Sequence, residues 1–442
     1  MRTITTITRE DLGFRSANTD EKTHALHSYP AKFIPQLVNE LIISFSKPGD
    51  LIADIFAGSG TTNLEAMCLG RHSLAIDVNP VASLITRAKT AIVEPEALIL
   101  ASAQVLANAL DSAQNQSIES EIVVGLLKGK NMERLHHWFS PENIVILAFL
   151  LEEIQKAEDV DLRDLLLLIF SSSLKPASNW LDWSVKPQLD CRPLLPTDPA
   201  DIQPNVRYRR QVPGVAEVFT RKAKDVARRY SASAEHLRQQ ACYRPEVICD
   251  DINRHSLGKD RFDAVITSPP YLTSYEYADL HQLTAYWLWN TQTVTSFKKL
   301  GFIGTQLYEE KMVEEALVTS ASLDLMRKVM KPLAQKRVER YFASMQRCFA
   351  TTYEALKPGG HFCIVIGNSR FRGYEIDNHK VFLELLEPLG FSIENVWERP
   401  IPNKRLTSLR HAVTGRILPK VFEGTENAIE VYPTEHILIL RK

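Results

Sequence analysis

No apolar run in this 442-residue sequence is long enough to cross a bilayer: "NIVILAFLL" and "LLLLIF" fall well short of the ~20 residues a spanning helix needs. The amino terminus, "MRTITTITREDLGF", lacks the basic segment and apolar core of a secretory signal. Cysteine is scarce, six residues with no Cys-x-x-C pair, which predicts a reduced, intracellular, metal-free protein rather than a disulfide scaffold or zinc ribbon. His24, His27, His136 and His137 have no Cys or carboxylate partner at zinc-site spacing and are expected to be ordinary surface or hydrogen-bonding side chains. An excess of charge is also missing: a net charge of −1 excludes a uniformly basic nucleic-acid coat protein, while leaving a local basic surface open. Neither a solenoid-length repeat nor a low-complexity segment occurs. What is present is the composition of a soluble globular protein, 45% hydrophobic and 24% charged, long enough for more than one domain. A cytoplasmic location with no membrane partner is expected.

Five short runs have the character of strands covered on both faces, apolar through the centre rather than alternating. They are "DLIADIFA" (50–57), "HSLAIDV" (72–78), "EVICDD" (246–251), "FDAVIT" (262–267) and "HFCIVIG" (361–367). Helix-like patterns separate them, among them "TTNLEAMCLG", closed by Gly70, and "RYFASMQRCFATTYEALKPGG". Alternating strand and helix signals predict an α/β, doubly wound, Rossmann-like sheet. "SKPGD-LIADIFA" and "LKPGG-HFCIVIG" both place Lys-Pro-Gly between a helix and a strand, which supports the sheet but carries no chemistry. The alternation breaks over residues 91–244, mostly helical in pattern and ending in the Pro-rich "SLKPASNWLDWSVKPQLDCRPLLPTDPADIQP". That interval is expected to be an insertion carried on a sheet domain of residues 1–90 and 245–442. A smaller insertion is expected over 285–340.

In "DIFAGSGTTNLEA" (54–66) a strand feeds a Gly-x-Gly turn that opens a helix. Gly58 and Gly60 would let the backbone come close to a ligand, and Thr61 is placed to cap the helix; the alternative is a tight turn and nothing more. A dinucleotide fingerprint would need a third glycine, and a phosphate loop a Gly-Lys-Ser/Thr ending; both are missing, which disfavours phosphate-bearing cofactors. Further on, "AIDVNP" (75–80) puts Asp77 at the end of the next strand, where a carboxylate can bind ribose hydroxyls; a helix cap at Asp77 or Asn79 is the competing reading. Together the two motifs suggest a nucleoside cofactor without pyrophosphate, S-adenosylmethionine.

At this point the residues resemble a family. "HSYPAKF" (27–33), "DIFAGSGTT" (54–62), "AIDVNP" (75–80) and "TSPPY" (267–271) look like the ordered motifs of amino-group DNA methyltransferases. Ser268-Pro269-Pro270-Tyr271 most resembles the N4-cytosine members, whose adenine counterparts more often carry Asp in place of Ser. "LKPGGHFCIVIGNS" and the terminal "ERPIPNKR…TEHILIL" resemble later strands of the same fold. The match covers residues 24–90 and 245–442 and leaves the insertion unassigned. The resemblance implies a mostly parallel sheet of seven strands with a C-terminal antiparallel hairpin. It also implies that Asp54, Phe56, Gly58, Gly60 and Thr61 line the cofactor and that Asp77 holds its ribose. Tyr29, Pro30 and Phe33 would pack near the methionine part. Asp250 or Asp251, with Asp251 favoured, would contact the adenine amino group. Double-stranded DNA is the implied partner ahead of RNA, with a cognate restriction endonuclease; residues 1–90 and 245–442 would then be the catalytic domain and the 91–244 insertion a candidate DNA-binding and target-recognition region.

"TSPPY" also has a reading of its own. Pro269 and Pro270 cannot continue a hydrogen-bonded ladder, so the bland reading is a strand-ending turn. The sharper one is an acceptor platform, because ligands of open α/β sheets sit beyond the carboxyl ends of strands. A cytosine amine carries two hydrogens; the Ser268 hydroxyl and the Pro269 carbonyl would accept them and orient the lone pair. Tyr271 would stack on a flipped base, with Tyr275 and Tyr277 as weaker candidate walls. The absence of a Cys beside the prolines disfavours carbon-5 chemistry. From Asn205 to Arg244, ten Lys or Arg residues face three acidic ones. On a helix there, Arg221, Lys224 and Arg228 fall opposite Phe219, Val226 and Tyr230, as either a solvated face or a phosphate-contacting one. Arg337 and Arg340 form a smaller patch with the same two readings, and Trp180 and Trp183 are expected in the core.

The combined expectation is site-specific methyl transfer from S-adenosylmethionine to a cytosine N4 in DNA. Adenine-N6 or RNA amino-group transfer is the alternative. A catalytically silent nucleic-acid-binding regulator is the alternative from another class, and intact Gly58, Gly60, Asp77 and Ser-Pro-Pro-Tyr argue against it.

Overall fold

The computed structural model describes residues 5–184, 186–209, 211–272, 276–305, 320–372, 374–401, 409–411, 418, 424–425, 428–430 and 434–442. Its main sheet contains β1 (Thr6–Thr8), β2 (Leu51–Asp54), β3 (His72–Ile76), β4 (Glu246–Ile248), β5 (Phe262–Thr267), β6 (Leu356–Ile366), β7 (Ser392–Pro400) and β8 (Thr434–Arg441). Across the sheet the order is β1-β7-β8-β6-β5-β2-β3-β4. The strands from β6 to β4 run parallel, and β8 is inserted antiparallel to both β6 and β7. All five predicted strands are present, and β7 and β8 form the expected antiparallel pair. The sheet has eight strands rather than seven, because β1 adds in parallel to the edge strand β7.

Strand β6 starts at Leu356, ahead of the Lys-Pro-Gly expected to precede it. Leu356 pairs with Phe262 and His361 with Ala264, so the intervening residues form a bulge.

The strands are apolar throughout because both faces are covered. On one face Ile52, Ala264, Ile266, Val365 and Ile439 pack under α1 (Pro35–Phe45). On the other, Val265, Phe362, Ile364 and Leu438 meet Tyr341, Phe342, Met345 and Phe349 of a long helix, Pro332–Ala355. Each such fully buried side chain contributes about 1.5–3 kcal/mol.

Helices α2 (Thr61–Cys68) and α3 (Pro80–Lys89) share one apolar cluster with α4 (Pro95–Ala113), α5 (Pro141–Gln155), α6 (Val160–Leu174) and α7 (Val215–Gln239). The Pro332–Ala355 helix is α8 in this order. Helices α1, α3, α4, α5 and α8 all begin with proline, at the position whose N–H has no partner in a helix anyway. The amphipathic reading of α7 holds: Phe219, Val226 and Tyr230 are buried, while Arg221, Lys224 and Arg228 are exposed. The Tyr230 hydroxyl ties α7 to the end of α3, donating to the Ala91 carbonyl at 2.9 Å and accepting from the Val93 N–H at 2.8 Å.

One expectation about the tryptophans fails. Trp180 is buried and stacks on Trp138, but Trp183 is 70% exposed. Trp180 already fills the core position, and its Nε1–H donates to the Ser184 carbonyl, which turns Trp183 outward. Among the described residues no helix is long and apolar enough to cross a membrane.

Candidate active site

The sheet order reverses at β2, with β3 on one side and β5 on the other, so a crevice opens beyond the carboxyl ends of β2 and β5. Two side chains join those ends. The Thr267 hydroxyl, last in β5, donates to Asp54 Oδ1, last in β2, at 2.6 Å. The same carboxylate oxygen accepts the Phe56 N–H at 3.1 Å, which starts the glycine turn. Burial pushes the Asp54 carboxyl up to about 6, against the pull of these hydrogen bonds.

Next in the sheet, Asp77 follows β3 and faces the turn. Its Oδ2 accepts the Gly58 N–H and its Oδ1 the Asn79 N–H, both at 2.8 Å. The helix cap is Asn79, whose side chain accepts the Val81 N–H, so Asp77 is not the cap of α3. Burial raises Asp77 to about 6 as well.

The turn requires its glycines. Gly60 has φ +70° and caps α2 itself; Thr61 is the first helical residue and makes no side-chain cap bond, contrary to the expectation for it. A Cβ on Gly60 would lie 2.5 Å from Thr86 Oγ1. Gly60→Ala is therefore expected to destabilise the fold by about 2–4 kcal/mol, combining left-handed strain with overpacking. Urea unfolding measures it, and Thr86→Ala in the same chain should restore part of the steric share, since it removes Oγ1 and Cγ2 but keeps the Cβ. Beneath the turn, the buried Lys89 donates from Nζ to the Ser59 carbonyl at 2.7 Å.

The segment before α1 forms the opposite wall. Glu65 on α2 accepts from Lys22 Nζ at 2.6 Å and meets His24 Nε2 at 2.8 Å, fixing this segment on the helix. Burial pushes His24 down to about 4, so at neutral pH it donates as an uncharged imidazole. Tyr29 then lies over Gly58 and stacks on Tyr277 at 5.6 Å and on His281 at 5.1 Å.

Beyond β5, the Ser268 hydroxyl donates to the Val365 carbonyl of β6 at 3.1 Å. With its proton so engaged, the oxygen faces any incoming amine as an acceptor. The Pro270 carbonyl accepts from Tyr341 on α8 at 2.8 Å. Tyr271 donates to Glu435 Oε1 at 3.1 Å, and Arg399 holds Glu435 from the other side at 2.6 Å. Gly367 gives the Tyr271 ring room, since a Cβ there would stand 3.0 Å from it.

Residues 11–87 match the family model for N6/N4 methyltransferases, described as DNA methylase. The type II methyltransferase M.MvaI of Kocuria varians is 26% identical over 435 residues, 92% of this chain and 90% of that protein. The type II methyltransferase M.BsoBI of Geobacillus stearothermophilus is 24% identical, covering 85% of this chain and 80% of the relative. The type II methyltransferase M.MjaII of Methanocaldococcus jannaschii is 42% identical over 82 residues, 18% of this chain and 16% of its own. The chain is thus similar to amino-group DNA methyltransferases, through the family model over residues 11–87 and through two type II methyltransferases over most of its length.

S-adenosylmethionine is the methyl donor of this methyltransferase, and the residues present fit it. A cleft of about 830 Å³, its open mouth included, is lined by Asp54, Asp77, Asp250 and Asp251. That acidic set suits a cationic sulfonium and offers acceptors to ribose hydroxyls and an adenine amine. Tyr29, Phe33, Phe56, Gly58, Thr61, Ser268 and Pro270 line it too. Pro30, Gly60, Pro269 and Tyr271 do not reach its lining; they support neighbouring positions in the same loops. Of the acidic pair, Asp251 is buried and accepts the Asn253 N–H, whereas Asp250 is half-exposed beside His255. Tyr277 lines the cleft, and Tyr275 lies outside the described residues.

Sequence reasoning missed Gly301, Phe302 and Ile303, which close the cleft from the second insertion. Only their Gly-x-x-Gly spacing marks them, and that is no more than a turn signal. Arg221, Lys224 and Arg228 lie on α7, outside the cleft lining, and Arg228 pairs with Asp225 at 2.6 Å.

Proposed function

We propose that this methyltransferase acts on the N4 amine of a cytosine flipped out of duplex DNA. When bound, S-adenosylmethionine supplies an electrophilic sulfonium methyl. The observation that carries the reading is the Ser268 hydroxyl, locked by Val365 into the role of acceptor. Ser268 Oγ and the Pro269 carbonyl take one amine hydrogen each, which turns the nitrogen lone pair toward the methyl group. Both acceptors would stabilise the positive charge that develops on the amine nitrogen as it is methylated, and the surplus proton would then pass to solvent. Tyr341, by fixing the Pro270 carbonyl, keeps the platform from sagging.

Tyr271, held at its hydroxyl by Glu435, supplies a flat aromatic beside Pro270 for the extruded base. Asp77 takes the ribose hydroxyls, and Asp251 is the favoured acceptor for the adenine amine. On α7, Arg221 and Lys224 contact DNA phosphates, with Arg228 contributing less because Asp225 offsets its charge. The similarity to type II enzymes supports a restriction–modification setting with a cognate endonuclease.

The test is labelled methyl donor with duplex DNA or structured RNA, followed by nucleoside analysis. Labelled N4-methylcytosine in DNA is expected. N6-methyladenine as sole product overturns the base assignment, and label confined to RNA overturns the substrate class.

A further inference from the structure

We infer that Arg340, Ser344 and Arg347 of α8 form a seat for one phosphate of the DNA strand that delivers the target nucleotide; this rests on the DNA methyltransferase reading. The three residues recur at i, i+4 and i+7, which places them along one flank of the helix. Ser344 is fully buried, yet its hydroxyl has no hydrogen-bond partner among the described residues. Nε of Arg340, together with Nε and Nη2 of Arg347, is shielded from water and has no acceptor among them either. Shielded guanidinium donors without acceptors are unfavourable, and several other arginines of this chain have acceptors for theirs. Arg399 has Glu435 and the Leu12 carbonyl; Arg87 has Asp164; Arg71 has Ser46 and the Leu69 carbonyl. The acceptors for the α8 flank therefore come from a ligand.

The flank borders the reaction site at both ends. Tyr341, next to Arg340, holds the Pro270 carbonyl, and Cys348, next to Arg347, reaches Asn253 at 3.4 Å, two residues beyond Asp251. Pro270 and Asp251 both line the cofactor cleft, whereas none of the three flank residues does. The ligand is thus an anion outside the acidic cofactor cavity and close to the platform. Two guanidinium groups and a hydroxyl suit phosphate oxygens, and the substrate of this family presents phosphates in a row. Arg337, one turn earlier, does something different, because its Nη2 donates to the Gly304 carbonyl behind the cleft-closing segment. The small basic patch of the sequence therefore divides between a structural arginine and a ligand-facing one.

The test compares wild type, R340Q/R347Q, R340K/R347K and S344A, measuring duplex-DNA affinity across salt concentrations and cofactor affinity by calorimetry. In R340Q/R347Q, DNA affinity should fall roughly tenfold and the slope of log K against log salt should flatten by about 0.9, one phosphate's worth, with cofactor affinity unchanged. R340K/R347K should keep the wild-type slope, and S344A should weaken binding a few-fold at constant slope. Unchanged DNA affinity and slope in the Gln pair overturn the seat, as does a parallel loss of cofactor affinity. Inorganic phosphate that stabilises wild type but not the Gln pair, with DNA binding equal in both, overturns the assignment to DNA. A wild type that binds no duplex overturns the methyltransferase reading itself.

Discussion

Ser268→Ala is expected to slow single-turnover methyl transfer about 100-fold while S-adenosylmethionine affinity stays within about twofold. The magnitude is that of removing one preorganised polar contact to developing charge. Ser268 lines the cleft, but its hydroxyl proton is committed to the Val365 carbonyl of the adjacent strand. On the proposed reading, the group it serves is a donor arriving from outside, the target amine. Alanine removes an acceptor and leaves the turn intact, because the Pro270 carbonyl is still held by Tyr341 and Thr267 still reaches Asp54. Rapid-quench assays with saturating cofactor isolate the chemical step. A cofactor affinity that falls as far as the rate would mean Ser268 belongs to the cofactor wall instead. Thr at this position should recover part of the rate, since it returns the hydroxyl.

The contrast between what the chain announced and what it concealed has a physical origin. Strand β5 was legible because both its faces are buried, so Phe262, Ala264, Val265 and Ile266 are all apolar and the run ends where the prolines begin. The glycine turn was legible because its positive φ at Gly58 and Gly60 leaves few residue choices. Strand β1 was not: Thr6–Thr8 is exposed and carries no burial signature, only backbone pairing with β7. The Gly301–Ile303 wall was hidden for another reason, since its place in the cleft depends on long-range packing, including Phe302 against Phe297 and Arg337 on the Gly304 carbonyl. The distinction between Asp77 and Asn79 also needed coordinates. Either can cap a helix, and only the Gly58 N–H pointing at Asp77 reserves that carboxylate for the site.

That reservation yields the second large effect. Asp77→Asn is expected to weaken S-adenosylmethionine binding about 100-fold at pH 7.5, roughly 2.7 kcal/mol. The carboxylate holds two backbone N–H groups and has acceptor capacity left for ribose hydroxyls, whereas Asn substitutes an NH₂ for one of those oxygens and repels a donor. Burial has raised Asp77 to about 6, so the free protein takes up a proton there as pH falls through that value. If Asp77 holds the ribose as proposed, cofactor binding needs its ionised form, so wild-type affinity should drop below pH 6 by up to tenfold per unit, while above it the affinity should be flat. Asp54 also lies at about 6, but its Oδ1 is engaged by Thr267 and Phe56. Asp54→Asn should therefore keep the pH slope that Asp77→Asn abolishes. Calorimetric titrations between pH 5 and 8 decide between them. A slope that survives in Asp77→Asn and vanishes in Asp54→Asn would transfer the ribose contact from β3 to β2.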